Sequence, residues 1–130
     1  MSTILFRATL EGRAAIKKNS LQRKYSFAKR RTFTLPSDRY LAWENSTVLE
    51  LKSLWGWRDP IDEPVILRAR FYFKNHAHEP DLSNLYEGVQ DALQKAGIIL
   101  NDKIIQGHDG SRKVFGEGPR VEIEIIAMEV

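Results

Sequence analysis

Glu79-Pro80-Asp81-Leu82-Ser83-Asn84-Leu85, carried on through Val89, Leu93 and Ala96 to Gly97 and then to Asn101-Asp102, is the stretch that decides the fold class. Leu82, Leu85, Tyr86, Val89, Leu93 and Ala96 recur at helical spacing, which predicts an amphipathic helix from about Leu82 to Ala96 with Gly97 as its C-terminal stop. A strand is then expected from Asp102 to Gln106. A helix-turn-strand unit of this kind can bring an acid at the helix start and an acid at the strand start to one end of a sheet, where ligands gather in α/β folds. Carboxylates so gathered repel one another unless a cation lies between them, and Mg²⁺ or Mn²⁺, which prefer oxygen donors, are the natural candidates. Taken singly, Asp81 reads as a routine helix cap, and Asp102 as a turn residue. Asn84, Glu87 and Asp91 read as a solvated face opposite the apolar stripe.

Upstream, Val65 to Lys74 is half alternating and half continuously apolar, the pattern of a strand central in its sheet. The loop 58–64, with two prolines and three acids, joins it to a preceding helix. That helix is predicted to start at Ser37 as N-cap, to present Tyr40, Leu41, Val48, Leu51 and Trp55, and to end at Gly56. Lys24 to Thr34 reads as a second extended segment or a loose hairpin with Tyr25 and Phe27 on one side. Ile4 to Leu10 is the first strand, Arg13 to Asn19 a polar loop, and Val121 to Met128 the last strand. His108 to Lys113 carries a turn signal and two cations. The order β, β, α, β, α, β, β predicts an α+β, or mixed α/β, domain with a single mixed sheet and two main helices. Its 130 residues form one domain, 1–130, large enough to bury a core.

The chain contains no cysteine, which excludes disulfides, thiol chemistry and cysteine-based zinc sites. Charge interrupts the N-terminus at Arg7, too early for a signal peptide, and no apolar run approaches the ~20 residues of a membrane span. A soluble cytoplasmic protein is expected. Charge is segregated: through Arg39 there are ten Lys and Arg against Glu11 and Asp38, a balance of +8, which leaves −5 for the remainder. A basic surface for a polyanion beside an acidic site for cations fits that division, and so does a merely solvated basic face. His76 and His78 face one way if extended, as metal or phosphate contacts or as solvated loop residues. Gly116-Glu117-Gly118-Pro119 is not a phosphate loop, and no Gly-x-Ser-x-Gly elbow is present.

In Pro80-Asp81-Leu82-Ser83-Asn84-Leu85, Val89-Gln90-Asp91-Ala92-Leu93, Ala96-Gly97 and Asn101-Asp102 the chain resembles the RusA family of Holliday junction resolvases. Lys17-Lys18-Asn19-Ser20 is similar to that family's basic N-terminal loop, and Pro36-Ser37 with Tyr40-Leu41-Ala42-Trp43-Glu44 to its first helix. The resemblance implies a phage- or prophage-borne homodimer that binds four-way DNA junctions and nicks two strands symmetrically, using Mg²⁺ or Mn²⁺ held by aspartates. Asp81 and Asp102 take the positions of the first motif aspartate and the strand-start aspartate. Two positions depart: the second motif aspartate is Ser83, and the helix lysine is Glu87. As i, i+4 neighbours, they let Glu87 lean over the turn that bears Ser83, so that Asp81, Glu87 and Asp102 preserve the count of catalytic acids. For the missing lysine the candidate substitutes are Lys74, Arg112 and Lys113, which are also expected to contact DNA. Lys17, Lys18, Lys24, Lys29, Arg30 and Arg31 form the densest cationic stretch and are expected to grip junction arms by their phosphates. Two other readings stay open. One is a protein that binds branched or double-stranded DNA without cutting it, and the other a small RNA-binding protein that stacks bases on Tyr25 and Phe27.

Overall fold

The structure, a computed structural model, describes residues 3–17 and 21–128. Lys18, Asn19 and Ser20 of the expected basic loop lie outside them. The elements are β1 (Ile4–Glu11), β2 (Leu21–Ser26), β3 (Arg31–Pro36), α1 (Asp38–Trp55), β4 (Val65–Phe73) and α2 (Leu82–Lys95), followed by a 3₁₀ turn (Asp102–Ile104), β5 (Ile105–Gly107), β6 (Arg112–Phe115) and β7 (Arg120–Ala127). The fold is α+β, a mixed sheet with two helices.

The main sheet has five strands. β7 lies between β1 and β4 and is antiparallel to both, while β5 and then β6 run parallel to β4 along its other side. β4 is central, as its apolar pattern predicts: Val65, Leu67, Ala69, Phe71 and Phe73 are buried on the helix-covered face with Phe6, Ala8, Leu10, Val121, Ile123 and Ile125. Both helices pack there, Trp55 of α1 edge-on to Phe6 at 5.7 Å and Tyr86 of α2 edge-on to Phe71 at 5.8 Å. The opposite face carries no helix and is charged. Glu124, with Arg7 and Arg68 as its neighbours in register, accepts from Arg7 at 2.9 Å and has Arg68 at 3.6 Å and Arg70 at 3.9 Å.

α1 begins as expected: Ser37 Oγ accepts from the Tyr40 N–H at 3.2 Å. It ends at Gly56, whose φ of 75° suits a residue without Cβ. Three expectations need correction. Lys24 to Thr34 folds as a hairpin, but β2 and β3 pair only with each other, so they make a separate two-stranded ribbon and the sheet is not single. Asp102 lies in the 3₁₀ turn and the strand begins only at Ile105. Arg112 and Lys113, read with the turn segment His108 to Lys113, instead open a strand that runs to Phe115. Val114 and Phe115 favour a strand locally, but four residues hold one only because Arg70 to Phe73 offer a parallel partner.

Candidate active site

Asp81 opens onto a cleft of about 580 Å³ lined by Arg13 to Ile16 after β1, Ser37 and Arg39 at the start of α1, and His78 to Asp81 before α2. The sequence builds the 74–80 loop by local ties. Asn75 Oδ1 accepts from the Ala77 N–H at 2.9 Å, an Asx turn. The Arg13 guanidinium donates to the carbonyls of His78 (2.8 Å) and Ala77 (3.4 Å) and lies 5.2 Å from the Phe73 ring. On the far side His76 stacks on Phe115 at 3.7 Å and meets Glu79 at 3.1 Å. Lys113 reaches Glu79 at 3.7 Å and donates to the Pro80 carbonyl at 3.3 Å. The loop is thus pinned from β1 and from β6, and Asp81 is held at its end.

Asp81 occupies the N-cap position of α2, yet its side chain makes no cap hydrogen bond. The capping role is therefore not what occupies this carboxylate, which is exposed at the cleft. Leu82, Ser83 and Asn84, the first residues of α2, keep N–H groups that no Asp81 cap satisfies. α1 also points its N-terminus at the cleft, so two partial positive charges join Arg13 and Arg39 against Glu79 and Asp81. Such a place suits a phosphate next to a carboxylate-bound cation.

The other site residues fall elsewhere. Asp102 follows the C-terminal end of α2, and the register of Ile105 beside Val65 puts it near the start of β4, whereas Asp81 follows the end of β4. The 14 residues of α2 lie between them, a span of about 21 Å at 1.5 Å per residue. One chain does not bring these two acids to the same end of the sheet. Glu87 is exposed and is not among the residues that line the cleft. It stands within electrostatic reach of Tyr40 and Asp91. Asn84 is buried rather than solvated. Asp91 is half-buried; burial raises its pKa, Lys17 counters this, and Glu87 and Glu44 add to it.

Of the expected DNA contacts, Lys29, Arg30 and Arg31 are exposed at the end of the hairpin, and Lys24 lies within β2. Lys74 and Arg112 are exposed, whereas Lys113 is committed to Glu79 and Pro80. Lys17 is half-buried and close enough to Asp91 to pull its pKa down. Arg13 and Arg39, the two arginines of the cleft, were not singled out by motif or spacing. Only the excess of positive charge before Arg39 pointed toward them.

Among the described residues no three of His, Cys, Asp and Glu cluster so as to hold a metal by themselves. No helix among them is long and apolar enough to cross a membrane. An α+β domain whose free carboxylate faces arginines and two helix N-termini has the equipment of a phosphodiester-handling protein. The family model for endodeoxyribonuclease RusA matches residues 17–126, and the chain belongs to that family. The family's activity is that of an endodeoxyribonuclease on branched DNA. No curated protein matches the chain. β1 and Arg13 lie outside the matched residues.

Proposed function

We propose that this protein is a divalent-metal-dependent resolvase that acts as a homodimer and cuts four-way DNA junctions by paired symmetric nicks. The observation that carries this reading is the uncapped Asp81 carboxylate in a cleft shared with Arg13 and Arg39. Mg²⁺ commonly takes one or two carboxylates, keeps several waters and completes its shell with substrate phosphate. Asp81 would supply one carboxylate of that small oxygen set, and Mn²⁺ suits it equally, while the Glu79 carboxylate in the same cleft is engaged by His76 and Lys113. When bound, the ion supplies an activated water and neutralises charge on the phosphate.

The chain's own groups do the positioning. Arg39, exposed at the first turn of α1, faces the cleft as a cation for a non-bridging phosphate oxygen, the task left open by Glu87. Arg13 fixes the backbone that carries His78 to Asp81 and adds a second positive charge. The free N–H groups of the first turn of α2 offer further donors to the same anion. Lys29, Arg30 and Arg31 hold an arm of the junction through phosphates, which positions the DNA without reading its sequence.

Asp102 enters through the dimer. β5 and β6 form one open edge of the main sheet. Antiparallel pairing of two such edges about a two-fold axis sets the start of one against the end of the other. Such pairing would bring the partner's copy of the Asp102 turn beside Phe115, which His76 and Phe73 join to the Asp81 loop. A two-fold dimer also matches a two-fold substrate. Binding without cleavage is the second reading, favoured by the placement of Glu87 away from the cleft lining. A labelled synthetic four-way junction incubated with and without Mg²⁺ tests both. Symmetric paired nicks that a chelator abolishes are expected, and binding with intact strands in Mg²⁺ and in Mn²⁺ selects the second reading.

A further inference from the structure

The β2–β3 hairpin is built as an arm. Its strands pair over six positions, from Leu21 opposite Pro36 to Ser26 opposite Arg31, and form a two-stranded sheet separate from the main one. Among the hairpin residues whose burial is described, none belongs to the hydrophobic core. At its end Phe27 is 85% exposed and Tyr25 51%, and the two rings meet edge-to-face at 4.9 Å. Large rings held together in water, away from any core, offer their free faces to a flat partner.

The charge around them limits what that partner is. From Gly12 to Ser37 the chain has eight Lys and Arg and no acid, and Arg23, Lys29, Arg30 and Arg31 are exposed on the hairpin itself. The turn has a fixed shape: the Lys29 N–H donates to Ser26 Oγ at 3.2 Å, and Arg30 has φ 52°, a left-handed conformation that arginine rarely takes. Aromatic faces set among cations in a defined turn match a polyanion whose flat groups are accessible, namely nucleic acid with unstacked bases. Within a continuous duplex both faces of each base are covered by neighbours. At the branch point of a four-way junction the stacks are interrupted.

We propose that the hairpin end is a wedge in which Phe27, backed by Tyr25, stacks on a base at the branch point while Lys29, Arg30 and Arg31 hold the adjoining phosphates. This deepens the junction reading and rests on it. Selectivity for branched over linear DNA would then reside partly in one exposed ring outside the cleft.

The test measures binding of the full chain, without divalent metal, to a four-way junction that carries 2-aminopurine at the branch point and to a linear duplex of the same sequence. Phe27→Ala is expected to weaken junction binding about 10- to 100-fold, the range for loss of one base stack, and to leave duplex binding unchanged. The 2-aminopurine signal should be lost with it, and Phe27→Trp should restore both. Arg30→Gly, which suits the positive φ while removing a cation, should weaken binding to both DNAs alike and lower the salt slope by about 0.9. Equal junction affinity of Phe27→Ala and wild type, with wild-type cleavage intact, overturns the wedge alone. Wild-type protein that does not prefer junction to duplex overturns the junction reading and the wedge with it. Tighter binding to single-stranded RNA than to the junction, with the same dependence on Phe27, overturns branched DNA as the ligand.

Discussion

Asp81 sits where an aspartate ordinarily satisfies a helix N–H, an interaction whose loss costs about 1 kcal/mol on average, and here it does not make that bond. Removing its charge should therefore separate function from stability. Asp81→Asn is expected to abolish metal-dependent junction cleavage, to leave junction binding equal or tighter, and to shift the urea unfolding free energy by less than about 0.5 kcal/mol. Cleavage at the wild-type rate would remove the cleft from the mechanism. Glu87 calls for a different experiment, because its charge is one of those that raise the pKa of Asp91. In Glu87→Gln the titration of Asp91, followed by carboxyl NMR shifts, should move to lower pH. A raised carboxylate pKa favours the neutral form in the fold. The stability tied to Asp91 is therefore present at low pH and lost as pH rises toward its folded pKa, and Glu87→Gln should lessen that loss. An Asp91 titration that stays put would mean that residues 87 and 91 do not sense each other.

Between the two helices the principal polar contact is one that periodicity could not show. Glu44 is 6% exposed and accepts from the Tyr40 hydroxyl at 3.0 Å and from Lys95 at 2.6 Å, which joins α1 to α2. Burial first, and Glu44 second, push the Tyr40 hydroxyl far above its ordinary pKa, so it remains a donor. Glu44→Ala should cost about 1–3 kcal/mol in chemical denaturation, chiefly because the tyrosine hydroxyl loses its partner. Lys95 is largely solvated and adds little to that figure. The helix stripes, the Ser37 cap, the Gly56 and Gly97 stops and the central β4 were legible because each rests on a local pattern. β6 and the buried Asn84 were not, since a neighbouring strand and a packed helix decide them. On the open sheet face, Arg7 first and then Arg68 and Arg70 lower the Glu124 pKa below its usual 4.5. A lowered carboxylate pKa stabilises the fold above its unfolded value, and that contribution fades as pH falls through the lowered one. Denaturation midpoints should drop as the pH goes below about 4.5, the ordinary glutamate range, and Glu124→Gln should flatten that limb. An identical acid limb in the variant would show that the arginines do not act on Glu124.

At the scale of the molecule, the Asp81 cleft and Asp102 are a helix length apart in one chain. Spacing along the sequence suggested proximity, but a crossover that returns parallel to β4 carries the following strand back to its opposite end. The acids proposed as metal ligands were legible as residue types, but their separation to opposite ends of β4 was not. If a second copy completes the cleft, dimers mixed from Asp81→Asn and Asp102→Asn subunits should regain one working cleft in two and nick one strand, although each variant alone is inactive. Mixed dimers with no activity would place both acids in the same subunit. One further feature bears on how this molecule comes to exist at all. β7 lies between β1 and β4, and the contact of Arg7 with Glu124 joins residues 117 apart. Closing so long a loop costs entropy before any strand pairing repays it, and chains dominated by such distant contacts fold in milliseconds to seconds rather than microseconds. Until β7 inserts, β1 has no neighbour in the main sheet and both it and β4 present unpaired edges, so the refolding chain passes through a period of exposure to aggregation that dilution should relieve and crowded refolding should worsen.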